Sequence, residues 1–195
     1  KIGAILAGAG LLGIALGTIL ADLIRRVTKR AYLLMAAFVV LGAIPLGVLG
    51  ILDPNRTMSL TYLFFASILM AMVLGPCNTV TANVVPANRR AAGYALFIFL
   101  IHLFGDITSP ILLGWISDFG GTQAVMESPL GNFLTRIGAT PVEGTNLTVA
   151  MLSVAPVLAL GFFFFFLGAR HLPADEERAR QASGGHENAG SFIGH

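Results

Sequence analysis

The sequence is short of charge. Of its 195 residues only 11% are Asp, Glu, Lys or Arg, against about 25% in an ordinary soluble domain. So few charges cannot cover a water-facing surface, which excludes a disordered chain, a nucleic-acid-binding protein and a conventional soluble enzyme. Cysteine is nearly absent as well. Cys77 stands alone, so no internal disulfide can form. Catalytic signatures are missing too: there is no H-E-x-x-H for zinc and no G-x-S-x-G nucleophile elbow. The four histidines, His102, His171, His186 and His195, are too scattered to predict a metal site. Gly105-Asp106 is similar to the end of the G-x-G-D of intramembrane aspartyl proteases. However, Leu103 stands where the first glycine belongs, and no second membrane aspartate completes the dyad. The expectation is therefore a non-enzyme with no catalytic residue, no resident metal and no cofactor.

What is present is apolar: 55% of the residues are hydrophobic and the mean hydropathy is +0.80. Crossing the hydrocarbon core takes about 20 mostly apolar residues. Residues 2–21, 31–52, 58–85 and 147–169 supply such runs without a charge, and 91–116 adds one broken only by His102 and Asp106. The fold class read from this pattern is all-α, a polytopic membrane protein with five transmembrane helices in a bundle over residues 1–170. Pro45, Pro76, Pro110 and Pro156 fall inside the runs and read as kinks, which membrane helices tolerate. Residues 171–195, with Asp175-Glu176-Glu177 and Ser183-Gly184-Gly185, read as a disordered, solvated tail.

The charges sort by side. Arg25, Arg26, Lys29, Arg30, Arg89, Arg90, Arg170, Arg178 and Arg180, nine of the twelve cations, share one face, and Lys1, Arg56 and Arg136 the other. The positive-inside rule makes the nine-cation face cytoplasmic, with the N-terminal end outside and the C-terminus inside. The sequence starts at Lys1 and enters an apolar run at once, so partner helices outside this sequence are expected. Asn146-Leu147-Thr148 matches a glycosylation sequon but abuts a span, so the match reads as coincidental.

Three sets of residues carry information. Ala9, Gly13, Gly17 and Ala21 recur every fourth position and form a small-residue ridge for close helix packing. Asp22 lies just before Arg25 and Arg26, where pairing predicts a charge latch between two conformations, or else a plain topology signal. The third set spans the Gly75–Asn83 stretch and the fourth run. Tyr94, His102, Asp106 and Ser109 share one face at 100° per residue, and Asn78 lies near the same cytoplasmic mouth. His102 falls about 16 Å from Ala91 along the axis, close to mid-membrane. Ionisable groups at that depth face a cavity or a partner, so His102 and Asp106 read as substrate-pathway or proton-coupling residues, or as a polar clamp between helices.

These residues also carry a resemblance. Gly75-Pro76-x-Asn78, Val85-Pro86-x-x-Arg89-Arg90 and Ile101-His102-Leu103-Phe104-Gly105-Asp106-x-x-Ser109-Pro110-x-x-x-Gly114-x-x-Ser117-Asp118 resemble the Spinster family of the major facilitator superfamily. The closing Phe166-Leu167-Gly168-Ala169-Arg170-His171-Leu172-Pro173 is similar to the end of bacterial members. The resemblance implies that the five spans are helices eight to twelve of a twelve-helix facilitator, whose N-terminal half is the missing partner. It implies that Leu20–Arg30 is a degenerate copy of the superfamily's G-x-L-A-D-R-x-G-R-R loop, with Thr18, Leu23 and Arg25 departing from it. His102 matches a histidine that lines the central cavity in relatives, and Asp106 matches the aspartate of the same motif. The implied activity is secondary transport by alternating access of an amphipathic, lipid-like or other small organic solute, with protons as a candidate coupling ion, in a bacterial inner membrane. A non-transporting scaffold with a structural His-Asp clamp is the alternative.

Overall fold

The structure, a computed structural model, describes residues 2–139 and 144–191. Its helices are α1 (Ile2–Arg25), α2 (Ala31–Leu52), α3 (Arg56–Met72), α4 (Leu74–Val84), α5 (Arg90–Ile101), α6 (Thr108–Gly120), α7 (Gln123–Met126), α8 (Pro129–Arg136), α9 (Leu147–Leu152) and α10 (Val154–Ser191). A π-helical segment, His102–Ile107, joins α5 to α6. Five continuous stretches are long and apolar enough to cross a membrane: Gly8–Arg25, Ala31–Leu52, Arg56–Val84, Ala87–Gly120 and Leu147–Ser183. The described chain is thus a five-span all-α integral membrane protein, as the charge-free runs predict.

Proline position decides where a span breaks. A helical proline removes the donor to the carbonyl four residues back and crowds that carbonyl with its ring. The third span is interrupted at Val73, three residues before Pro76, and the fifth at Ser153, three residues before Pro156. The π segment of the fourth span likewise ends at Ile107, three residues before Pro110. There the Thr108 N–H reaches back to the Leu103 carbonyl, the five-residue step of a π turn. Pro45 differs: α2 runs through it without a break.

α2 is the centre of the bundle, packed against α3 and α10, while α1 lies along α3. The core is built from small residues: Ala9, Ala21, Ala31, Ala36 and Ala37 are fully buried. Tyr32, Met35, Met72 and Leu172 close around Ala21 at the basic end. The predicted ridge works through its glycines. A Cβ on Gly13 would stand 2.5 Å from the Ile68 carbonyl oxygen, and one on Gly17 would collide with the Met72 carbonyl. Met72 is the residue whose carbonyl Pro76 leaves without its helical donor. The two backbones therefore meet where one of them is bent, and only hydrogen at Cα permits the contact.

Of the segment 171–195 predicted to be disordered, residues 171–191 are helical. α10 continues through Ser191, with Leu172 and Ala179 buried; the side chains beyond Ser183 and residues 192–195 lie outside the description. The tail folds because Leu172, Glu176, Ala179 and Ser183 recur at spacings of four, three and four, one helical face.

At the opposite end, the connection between the fourth and fifth spans is pinned by Asn146, which is 1% exposed. Its amide donates to the Ala139 carbonyl at 3.0 Å and its oxygen accepts from the Val149 N–H at 3.1 Å. A side chain so committed cannot carry a glycan, in keeping with the coincidental reading of the sequon.

The helix contact makes a paired prediction. Gly17→Ala should destabilise the bundle by about 1–3 kcal/mol through overpacking, whereas Gly8→Ala, with nothing within 4 Å of the added methyl, should be neutral. Thermal unfolding of the two variants in the same detergent checks this, and equal melting temperatures would contradict the contact.

Candidate functional site

The fourth span is the least enclosed element of the bundle: none of the most apolar part of Ala87–Gly120 is buried. It holds His102 and Asp106 at the start and near the end of the π segment. Gly105 and Pro110 explain that segment, since Pro110 cannot donate to the Asp106 carbonyl and Gly105 adds no side chain to stiffen the turn. His102 Nδ1 and Asp106 Oδ2 are in direct contact. Their side chains are 62% and 68% exposed, so the pair ties one helix to itself and presents its outer surface away from the bundle.

Tyr94 and Asn78 form a second linked pair. The Tyr94 hydroxyl donates to the Asn78 carbonyl at 2.9 Å, joining α5 to α4 beside the Pro76 break. Asn78 itself is exposed. Tyr94 lies eight residues before His102, about 12 Å along a helix axis, so the two pairs occupy different depths of one span.

Ser109 does not join them. It lines a groove of about 290 Å³ together with Phe104, Leu112, Ser153 and Val157, between α6 and the fifth span. The expectation of a common face assumed 100° per residue throughout. The π segment turns fewer degrees per residue, which rotates everything after it and brings Ser109 round to the side of Phe104. The signal was present in Gly105 and Pro110, but the uniform helical wheel ignores it.

The candidate latch is also rearranged. Asp22 pairs with neither Arg25 nor Arg26; its Oδ1 accepts a hydrogen bond from the Tyr32 hydroxyl at 3.0 Å. Arg25 turns the other way. Its Nη2 contacts Glu176 Oε2 at 2.5 Å, its Nη1 donates to the Lys29 carbonyl, and its guanidinium lies 5.2 Å from the Tyr32 ring centroid. The Asn83 amide reaches the other Glu176 oxygen at 3.4 Å. The Glu176 side chain is only 6% exposed, and a carboxylate so buried persists because a cation holds it. One acid on α10 thus gathers the α1–α2 turn and the end of α4. Sequence reasoning missed Glu176 because it assigned that stretch to a disordered tail. Arg26 remains exposed.

No protein-family model matches the sequence. Curated relatives do. The chain is 30% identical over 188 residues to protein spinster homolog 3 of Mus musculus, covering 94% of this chain and 34% of that protein. It is 31% identical over 173 residues to protein spinster homolog 1 of the same organism, covering 88% of this chain and 30% of the relative. A sphingosine-1-phosphate transporter of Xenopus tropicalis is 30% identical over 181 residues, 92% of this chain and 33% of its own length. The chain spans about a third of the length of each relative. With nearly all of its length aligned to these proteins, the chain belongs to the Spinster family.

Proposed function

We propose that the chain is the C-terminal membrane bundle of a secondary transporter that works by alternating access on an amphipathic, lipid-like or other small organic solute. Alternating access needs two halves rocking around a site near the midplane, and this chain would supply helices eight to twelve of one half. The observation that carries the reading is the His102–Asp106 pair: two ionisable groups at mid-span, on the least enclosed helix, facing out of the bundle that holds them. An ionisable pair placed so deep is costly unless it meets a cavity, a partner or a solute. A solute headgroup or a proton would find both a donor and an acceptor there, which makes protons the candidate coupling ion. Tyr94 and Asn78 extend the same pathway toward the basic face. The sphingosine-1-phosphate transporters among the relatives support a lipid-like solute.

The basic face is assigned to the cytoplasm on its nine cations. The latch is then divided in two. Arg25 is fixed within the bundle by Glu176, while Asp22 and Arg26 stand exposed at the end of α1, available to the opposite half. Two measurements on the intact protein test these assignments. His102→Ala should lower solute flux by about tenfold or more, the loss of one charged hydrogen bond, with little change in thermal stability because the pair packs against no neighbouring helix; unchanged flux at normal expression would leave the pair a structural clamp. Asp22→Asn should alter the balance of inward- and outward-open states, read by cysteine accessibility on the two faces, and labelling identical to wild type would refute the latch.

A further inference from the structure

The basic face also holds a cavity away from His102 and Asp106. Between the 83–90 stretch and α10 lies a cavity of about 400 Å³ lined by Asn83, Val85, Ala87, Arg90, Arg180 and Ser183. Its wall is tied shut on one side, where the Ser183 hydroxyl accepts from the Ala87 N–H at 3.2 Å and donates to the Ala179 carbonyl at 2.9 Å. Two guanidinium groups reach it from separate elements. Neither has an acid among the described side chains, because the carboxylates of this part of α10 are committed elsewhere. Asp175 pairs with Arg178 at 3.2 Å, Glu176 is held by Arg25, and Glu177 accepts from Gln181 at 3.4 Å. Two cations lining one cavity, with no acid paired to them among the described side chains, suit an anion, and a guanidinium fork matches the oxygens of a phosphate.

The surroundings say which phosphate. Adjoining the cavity at Ala179 is a second groove of about 620 Å³. Its apolar walls include Leu33, Val80, Val84, Pro86 and Leu172, and His171 and the paired Asp175 and Arg178 also line it. A basic pocket beside an apolar groove, at the level where spans leave the membrane, has the polarity of a phospholipid rather than of a soluble ester. We propose that Arg90 and Arg180 hold the phosphate of an anionic phospholipid from the leaflet on the basic side, with its acyl chain lying in the Leu33–Val84–Leu172 groove. The lipid would lie against α4 and α10 at the end where Glu176 gathers them, and so would brace that junction from outside. The site involves neither His102 nor Asp106, so its test stands apart from the transport reading.

The test uses the intact protein in nanodiscs of phosphatidylcholine with and without phosphatidylglycerol, with retained lipid counted by native mass spectrometry. Each basic residue near an anionic headgroup contributes about a fivefold gain in affinity. Wild type should retain phosphatidylglycerol, Arg90→Gln with Arg180→Gln should weaken retention by about 25-fold, and Arg136→Gln on the opposite face should not affect it. Where the double variant melts lower in phosphatidylcholine alone, Arg180→Gln by itself, at an exposed helix position, carries the test with a loss of about fivefold. Soluble glycerol phosphate should not displace the lipid. Retention equal to wild type in the arginine variants overturns the proposal, as does displacement by glycerol phosphate, which would make this a site for free phosphate esters.

Discussion

The bundle depends on the contact between Gly17 and the Met72 carbonyl. In lipid, apolar side chains gain little by leaving their surroundings, so helices hold together through close packing and polar contact. Here a proline prepares one side of the contact and a glycine the other. Pro76 bends the third span and frees a carbonyl; Gly17 brings a bare backbone against it. Gly13 repeats the approach one turn earlier, at Ile68. The registry of α1 on α3 follows, and with it the position of the α1–α2 turn over Tyr32, Asp22 and Arg25. A methyl group at either glycine would separate elements that the charged end of the bundle needs side by side.

Much of this was legible in the chain itself. The scarcity of charge and the lengths of the apolar runs determine the count of spans, and the sorting of cations sets a basic face against the opposite one. The small-residue ridge is visible as a period of four because periodicity is local. What escaped reading involves rotation and distance. Ser109 lines a groove with Phe104, a neighbour that a uniform helical wheel does not give it because the wheel has no place for a π turn, although Gly105 and Pro110 mark where one belongs. The partner of Arg25 escaped because it lies 151 residues away, in a stretch whose composition suggests solvent. Composition describes the outer face of that helix correctly and says nothing about the face at 172, 176, 179 and 183.

The prolines also divide the molecule by stiffness. α2, which carries Pro45 without a break, is central and packed on two sides. The three interrupted spans contain most of the polar side chains singled out as functional, and each interruption frees a backbone carbonyl within the membrane. Those groups are tolerated where neighbouring helices or a cavity receive them. Asn78 follows one break closely and the His102–Asp106 pair occupies another, so the side chains proposed to meet solute sit where the helices are least regular. The basic end of the bundle is closed by contrast, with Glu176 joining three elements.

That closure has a consequence in time. Arg25 is made before Glu176, and at about 5–20 residues per second the ribosome needs about 8–30 s to cover the 151 residues between them. For that interval the four described spans before α10 can already be inserted, yet Arg25 lacks the carboxylate that holds it in the folded bundle. The basic end of the bundle is thus sealed only once α10 has emerged, so the α1–α2 turn waits for a helix made long after it.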